Sequence, residues 1–199
     1  MRDQHRILRD DRGVSLIDTL IVVGLIMVLA GIAAPPMLNM VDQYRLGMAT
    51  RDVERELQFA RLKAVATNNA MRVRFDCPTT GKLRVVELIG TPAAPDPNDA
   101  DTYTQRCDEK LYPYRPTGAD QSRLTRPNND GAVRTLQPNT TFTAKQTLEF
   151  WPDGSVRVPC QAACASGPPQ IGTVTITLSR NTKTKNITVN GLGKILSDR

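Results

Sequence analysis

The fold of this chain is decided by residues 12–36, RGVSLIDTLIVVGLIMVLAGIAAPP. Between Val14 and Ala34 this stretch carries a single charged side chain, Asp18. At 1.5 Å rise per residue, a helix over residues 14–34 is about 30 Å long, which matches the hydrocarbon core of a bilayer. A core helix of a globular domain would show a polar stripe, and this stretch shows none. It therefore predicts a membrane-spanning helix over residues 14–34.

The residues before the apolar stretch indicate its orientation. Residues 1–13, MRDQHRILRDDRG, contain four arginines and three aspartates. Basic residues flanking a membrane helix favour the cytoplasmic side, so we expect residues 1–13 in the cytoplasm and the rest of the chain outside. A cleaved secretory signal would have a shorter apolar region followed by a small-residue cleavage site, and no such site precedes Pro35. The sequence therefore predicts a helix that stays in the membrane.

The junction at residues 12–18, Arg-Gly-Val-Ser-Leu-Ile-Asp, resembles the class III signal of type IV pilins and type II secretion pseudopilins. The resemblance implies that a prepilin peptidase removes residues 1–13 by cutting between Gly13 and Val14. It also implies that Val14 is then N-methylated. The family consensus has Phe where Val14 stands and Glu where Asp18 stands.

Asp18 is a carboxylate inside a membrane segment, which is costly without a partner or a function. One interpretation is that its side chain reaches the interface, since it lies close to the start of the helix. The resemblance implies another, in which Asp18 pairs with the N-terminal ammonium of a neighbouring subunit during assembly. Because Asp is one methylene shorter than Glu, its reach is smaller.

Beyond Pro35 and Pro36 the pattern becomes that of an amphipathic helix over residues 35–69. Apolar residues recur at a spacing of three to five, with charged residues between them. The pair Asn68 and Asn69 is a plausible stop, so a helix running from Val14 would be about 80 Å long. The predicted apolar stripe consists of Met37, Val41, Tyr44, Met48, Val53, Leu57, Ala60 and Ala64.

From Met71 the period changes to two, which is typical of half-buried strands. Residues 90–135 hold several prolines, Asp and Asn without apolar periodicity, and predict a long irregular loop. Residues 180–185 read as a polar hairpin turn. The predicted strands lie over 71–75, 82–89, 140–143, 147–151, 155–158, 173–178 and 186–189. The expected fold class is α+β and type IV pilin-like, with a long N-terminal helix packed on an antiparallel β-domain over residues 70–199.

Three further blocks are similar to the GspH/FimT-type minor pilins and pseudopilins. They are residues 59–75, 136–156 and 174–195, and the Phe-Trp-Pro-Asp-Gly run at 150–154 matches the F-x-P-D-G turn of that family. The resemblance implies a single-pass inner-membrane subunit with a periplasmic domain. It implies assembly with other pilins or pseudopilins by an inner-membrane platform, in a type IV pilus or a type II secretion pseudopilus. The role would be pilus assembly and twitching, or protein secretion.

All four cysteines lie beyond the membrane segment, in a compartment expected to be oxidising. An even number favours disulfides, with three connectivities possible. Our preferred pairing joins Cys77 to Cys107 and Cys160 to Cys164. A four-cysteine zinc site is the alternative, but the spacings lack the paired C-x₂-C of zinc knuckles.

A basic cluster lies near the C-terminus, with Arg180, Lys183 and Lys185 on one hairpin and Lys194 and Arg199 beyond it. Its candidate DNA-binding residues are Arg180, Lys183, Lys185 and Lys194. A charged edge that discourages strand-to-strand aggregation explains it without further function. DNA binding is the alternative hypothesis, because some GspH/FimT-like members bind DNA during natural uptake through a Gly-Arg-x-Arg motif. The matching stretch here is Gly-Lys-Ile-Leu at 193–196, which lacks the second cation and with it a phosphate contact.

Composition argues against most enzyme classes. The single histidine is His5, so the region beyond the membrane segment offers no histidine as a general base, zinc ligand or triad member. No glycine-rich phosphate loop, H-E-x-x-H or G-x-S-x-G occurs. We therefore expect a subunit without catalytic residues, metal or cofactor, and a membrane-anchored periplasmic enzyme is the remote alternative.

Overall fold

The computed structural model describes residues 15–91, 94–114, 127–159 and 170–198. The chain divides into two compact units, Met1–Val41 and Asp42–Arg199. A single helix, α1, runs over Leu16–Thr67 and contributes to both. Asn68 follows it with φ of 54°, the left-handed conformation that ends helices, so the predicted stop near residue 68 is confirmed.

In the first unit the helix begins with a polar turn. Ser15 caps it, because its Oγ accepts a hydrogen bond from the backbone N–H of Ile17 at 3.4 Å. The window Leu16–Ala33 then has a mean hydropathy of 2.6. Among the described residues it is the one helical segment long and apolar enough to cross a membrane.

In the second unit one row of α1 side chains enters the core. The buried row is Leu46, Ala49, Val53, Leu57, Ala60 and Ala64. Val41 and Tyr44 of the predicted apolar stripe do not join this buried row, since they are 41% and 67% exposed. One helical turn before Leu46 the same row contains Asp42, a polar residue that an apolar pattern does not include.

In the second unit, the helix packs against two antiparallel sheets, which comprise ten short strands within the described residues. They are β1 Met71–Phe75, β2 Lys82–Glu87, β3 Arg134–Thr135, β4 Thr141–Ala144, β5 Leu148–Phe150, β6 Val156–Val158, β7 Gln170–Ile171, β8 Val174–Arg180, β9 Lys183–Val189 and β10 Ile195–Ser197. The first sheet has the order β3-β2-β1-β5-β6-β7, and the second has the order β10-β9-β8-β4. Side chains from both sheets share one core with α1, which confirms the α+β fold class.

Within the described residues, the strand pattern differs from the prediction at one turn and at three edge strands. The turn predicted over 180–185 is wrong, because β8 continues to Arg180 and β9 begins at Lys183. Asn181 occupies the tight turn between them with φ of 51°, a conformation that Asn tolerates well. The edge strands β3, β7 and β10 were not predicted, since two or three residues show no recognisable period, and β3 lies within the predicted loop over 90–135.

The described parts of the predicted loop over 90–135 are packed on the first sheet. Two 3-10 turns, Pro97–Asp99 and Thr104–Cys107, interrupt it. Buried arginines from the sheet donate to its carbonyl oxygens. Arg84 bonds to those of Arg106 at 2.7 Å and Gly131 at 2.8 Å, and Arg74 bonds to that of Tyr103 at 2.9 Å. These bonds satisfy carbonyl groups of an irregular segment that cannot form the backbone hydrogen bonds of a strand.

A disulfide fastens the same segment. Cys77, after β1, is joined to Cys107 with a Cα–Cα distance of 5.2 Å and a sequence separation of 30. Both cysteines are buried. Cys160 and Cys164 lie outside the described residues, and their pairing stays a prediction.

The double variant Cys77→Ser/Cys107→Ser is expected to unfold at clearly lower urea. Closing a loop of this length restricts the unfolded chain by about 3–4 kcal/mol in the chain-entropy account. The measurement is urea unfolding of a fragment that starts at Asp42, the first residue of the second unit. Unfolding midpoints that agree for the variant and the parent would show that the crosslink contributes nothing.

Candidate assembly surface

The described start of α1 is a polar turn followed by exposed apolar side chains. Asp18 lies in the first turn, and its backbone N–H donates to the Ser15 carbonyl at 3.0 Å. The positive end of the helix dipole favours a carboxylate there. Every described side chain from Leu16 to Ala33 is exposed. Such a surface needs lipid or other apolar helices around it, because exposing so many apolar side chains to water is unfavourable.

The second half of α1 presents another apolar surface on the side opposite the buried row. Phe59, Leu62 and Val65 lie on it, and Leu62 is 69% exposed. We call these three residues the outer helix face. Lys63 Nζ lies 5.4 Å from the centre of the Phe59 ring, a distance at which a cation and an aromatic face attract. Three neighbouring exposed apolar side chains indicate a contact surface more strongly than single ones do.

The opposite side of this helix segment is fixed by Arg61. Its guanidinium donates to the Leu192 carbonyl at 3.2 Å and lies against Gly154 and Gly193. A Cβ at Gly193 would lie 2.5 Å from the Gly154 carbonyl oxygen and 2.7 Å from Arg61 Nε. Both glycines have positive φ, 80° and 76°. The Pro-Asp-Gly turn and the glycine of Gly-Lys-Ile-Leu thus serve helix docking, which sets the direction of the outer helix face.

A second contact fixes the start of the buried row. Asp42 accepts hydrogen bonds from Arg180 Nε at 2.8 Å and from Asn181 Nδ2 at 2.6 Å. Arg180 also donates to the Pro138 carbonyl oxygen. These bonds hold the pKa of the Asp42 carboxyl below its usual value, with Arg180 as the main cause. We call Asp42, Arg180 and Asn181 the hairpin clamp.

The hairpin clamp predicts a loss of stability in acid. Because the folded state lowers the Asp42 pKa, its contribution is present above pH 3.8 and declines as the pH falls below that value. We expect Asp42→Asn to lower the urea midpoint of unfolding at pH 7. The difference between the midpoints of the variant and the parent should become smaller as the pH falls. The matched control is Asp52→Asn, whose ion pair with Arg55 is exposed. A pH-independent difference would contradict this.

The structure does not bring the four predicted basic residues together. Arg180 is buried in the hairpin clamp. Lys183 is the antiparallel partner of Arg180, and Lys185 is that of Leu178. Lys194 lies beyond the other end of β9, where its backbone N–H donates to Asn190 Oδ1 at 2.8 Å. Seven residue steps of strand, about 23 Å, separate Lys183 from Asn190.

Other predicted site residues fall outside the described part of the chain. They are Gly13 and Val14 at the expected processing site, together with Cys160 and Cys164. Among the described residues, no group of three His, Cys, Asp or Glu side chains could hold a metal ion. Asp42 and Arg61 were missed, although the first continues the buried row at helical spacing and could have been found by it.

Comparison with known proteins identifies one family. The model of the family described as Type II transport protein GspH matches residues 49–193. No curated protein matches the chain.

Two kinds of solved structure are similar to the chain. The first is the type IV minor pilin FimU of Pseudomonas aeruginosa strain PAO1, at 14% identity and a TM-score of 0.44, covering 80% of this chain and 92% of that one. The second is the minor pseudopilin EpsH from the type 2 secretion system of Vibrio cholerae. It has 12% identity and a TM-score of 0.40, with coverage of 77% of this chain and 96% of that chain.

Proposed function

The chain belongs to the GspH family of type II transport proteins, and we propose how it is processed and assembled. It is a membrane-anchored minor pilin or pseudopilin subunit, and it assembles with others of its kind. A prepilin peptidase removes residues 1–13 by cutting after Gly13 and methylates Val14. The segment 14–34 then anchors the chain in the inner membrane, and a platform in that membrane assembles it into a type IV pilus or a type II secretion pseudopilus. The exposed apolar run Leu16–Ala33 is the observation that carries the proposal.

The proposed orientation places residues 1–13 in the cytoplasm and residues 35–199 in the periplasm. The arginines before Val14 support it through the positive-inside rule. The disulfide between Cys77 and Cys107 supports it independently, since such bonds persist in oxidising compartments and are rare in the cytoplasm.

Asp18 acts in this route as the assembly carboxylate. It lies in the first helical turn, and only three residues separate it in the sequence from Val14, where processing would create an ammonium group. In lipid, an unpaired carboxylate and an unpaired ammonium are both costly, so two neighbouring subunits gain by pairing one with the other. The pair sets the register between an incoming subunit and the last one added.

The outer helix face continues the contact outside the membrane. Phe59, Leu62 and Val65 lie on the same helix as the apolar run, and Arg61 fixes their direction. We expect neighbouring subunits to cover them on assembly, because burying apolar side chains stabilises a protein interface. Because these three side chains are exposed in the isolated chain, they are not part of its hydrophobic core.

Substituting Leu62 tests this assignment with little effect on folding. In cells that lack the native chain, Leu62→Glu is expected to lower its amount in sheared filaments or secretion complexes about tenfold, a typical loss for one interface anchor. The measurement is an immunoblot of the sheared fraction against the membrane fraction. Leu111→Glu is the matched control, since Leu111 is 53% exposed on the segment that follows the disulfide. Equal incorporation of both variants would show that the outer helix face is not part of the interface.

A further inference from the structure

The side of α1 that lies away from the core of the second unit has a repeat of seven residues. Steps of four and three residues alternate along it, and such steps return to the same side of a helix. The residues at both ends of the series are apolar, and those in its middle are polar. The series consists of Tyr44, Met48, Arg51, Arg55, Gln58, Leu62 and Val65. We call these seven residues the outward seam, and its last two residues also belong to the outer helix face.

Both ends of the outward seam expose apolar surface. Tyr44 is 67% exposed, Leu62 is 69% exposed and Val65 is 52% exposed. Alternating steps of four and three residues are the pattern by which two α-helices pack side by side, each side chain lying between four side chains of the facing helix. A strand would present side chains with a period of two instead. The outward seam is therefore suited to a second helix.

The middle of the outward seam is positively charged. Arg51 and Arg55 lie one helical turn apart and both are exposed. The partner of Arg55 is Asp52 at 3.5 Å, in a pair that is itself open to solvent. Glu54 lies three residues after Arg51 but accepts a hydrogen bond from Ser197 Oγ at 3.2 Å. Within the described parts of the chain, the salt bridges do not include Arg51.

A second copy of this chain does not complement the outward seam. Two identical seams packed in parallel would place Arg51 beside Arg51. Antiparallel packing would also bring the arginines together, because they lie near the middle of the seam. Residues 42–199 carry 22 Lys and Arg against 16 Asp and Glu, a net charge of +6, so two copies repel each other. Like charges brought together in an interface reject a partner.

We propose that the outward seam binds an α-helix of a different subunit, which carries carboxylates opposite Arg51 and Arg55 in the middle of an apolar stripe. The proposal rests on the assembly proposed above and specifies the kind of neighbour. A guanidinium group binds a carboxylate through two parallel hydrogen bonds, so the pairing depends on position as well as on charge. The apolar ends supply buried area, and the two arginines select the partner and its register.

Reversing both charges tests the role of the arginines in cells that lack the native chain. Arg51→Glu/Arg55→Glu is expected to lower the amount of the chain in sheared filaments or secretion complexes at least about tenfold, because like charges would then face each other. Arg51→Lys/Arg55→Lys keeps both charges and should be incorporated better than the reversed variant. The matched control is Lys110→Glu/Lys194→Glu, which makes the same change in net charge at two exposed residues outside the outward seam.

A photoreactive residue in the outward seam identifies the neighbour. The full-length chain, with benzoylphenylalanine in place of the exposed Gln58, is irradiated in assembling cells, and mass spectrometry locates the crosslinked peptide. We expect the crosslink in a helix of another subunit, within about one helical turn of an Asp or Glu. Arg51→Glu/Arg55→Glu should remove this crosslink. Changing the identified carboxylates to lysine should restore incorporation of the reversed variant.

The outcomes separate this proposal from the assembly on which it rests. A parent chain that is absent from filaments and secretion complexes would overturn both. If the parent is incorporated, equal incorporation of Arg51→Glu/Arg55→Glu and Lys110→Glu/Lys194→Glu overturns the role of the arginines and leaves the proposed function intact. A crosslink to a second copy of this chain, or to a segment without carboxylates, overturns the proposed partner, as does an incorporated parent chain that forms no crosslink.

Discussion

Gly13→Val is expected to leave the full-length precursor in the membrane, with none of the mature chain that begins at Val14. A prepilin-type peptidase must accommodate the residue before the cut, and the β-branched side chain of Val fills the space that Gly leaves free. Intact-mass measurement of the membrane fraction distinguishes the two forms. In the proposed assembly, Asp18 pairs with the ammonium group that cleavage creates at Val14. The uncleaved variant lacks this group, so it should also be missing from filaments.

The control for this variant is Gly24→Val, the same substitution inside the apolar run. A Cβ at Gly24 meets no other atom within 4 Å, and valine suits a membrane helix. This control should be processed normally. A mature chain starting at Val14 in the Gly13→Val variant would overturn the proposed processing and, with it, the role of Asp18.

The sequence predicted the fold where periodicity was strong. The apolar run, the end of α1 near Asn68 and the pattern of β8 follow from hydropathy and period alone, and the structure has all three. The resemblance to the GspH family was carried by short blocks, and the family match over residues 49–193 confirms it. Local pattern was sufficient there because each signal lies within one element.

The sequence did not predict where polar residues are buried. The alternation of Arg72 and Arg74 with apolar residues in β1 suggested a solvent-facing side, whereas Arg74 is buried under the segment that follows Asp99. Arg180 was placed on an exposed edge and is buried beside Asp42 instead. Such burial depends on partners far along the chain, and neither period nor propensity reports on them.

The strongest case of such burial is Arg106. Its guanidinium is fully buried and donates to Asp130 Oδ1 at 2.6 Å and to the Glu87 carbonyl at 2.7 Å, with Asp99 Oδ1 at 3.4 Å. Burial raises the pKa of the Asp130 carboxyl, and the charge of Arg106 opposes that rise. Removing Arg106 would therefore leave carboxylates buried without their counter-ion.

We expect Arg106→Met to destabilise the second unit by about 3–5 kcal/mol at pH 7, the usual result of breaking a buried pair from one side. Urea unfolding of the fragment that begins at Asp42 measures it, with Arg55→Met as the control because the Arg55–Asp52 pair is exposed. Without Arg106 the pKa of Asp130 should rise further. The free energies of unfolding of the variant and the parent should therefore differ less when Asp130 is protonated. Its deficit should therefore be smaller near pH 4 and grow as the pH rises. A deficit as small as that of Arg55→Met, or one that does not change with pH, would show that Asp130 does not depend on Arg106 for its charge.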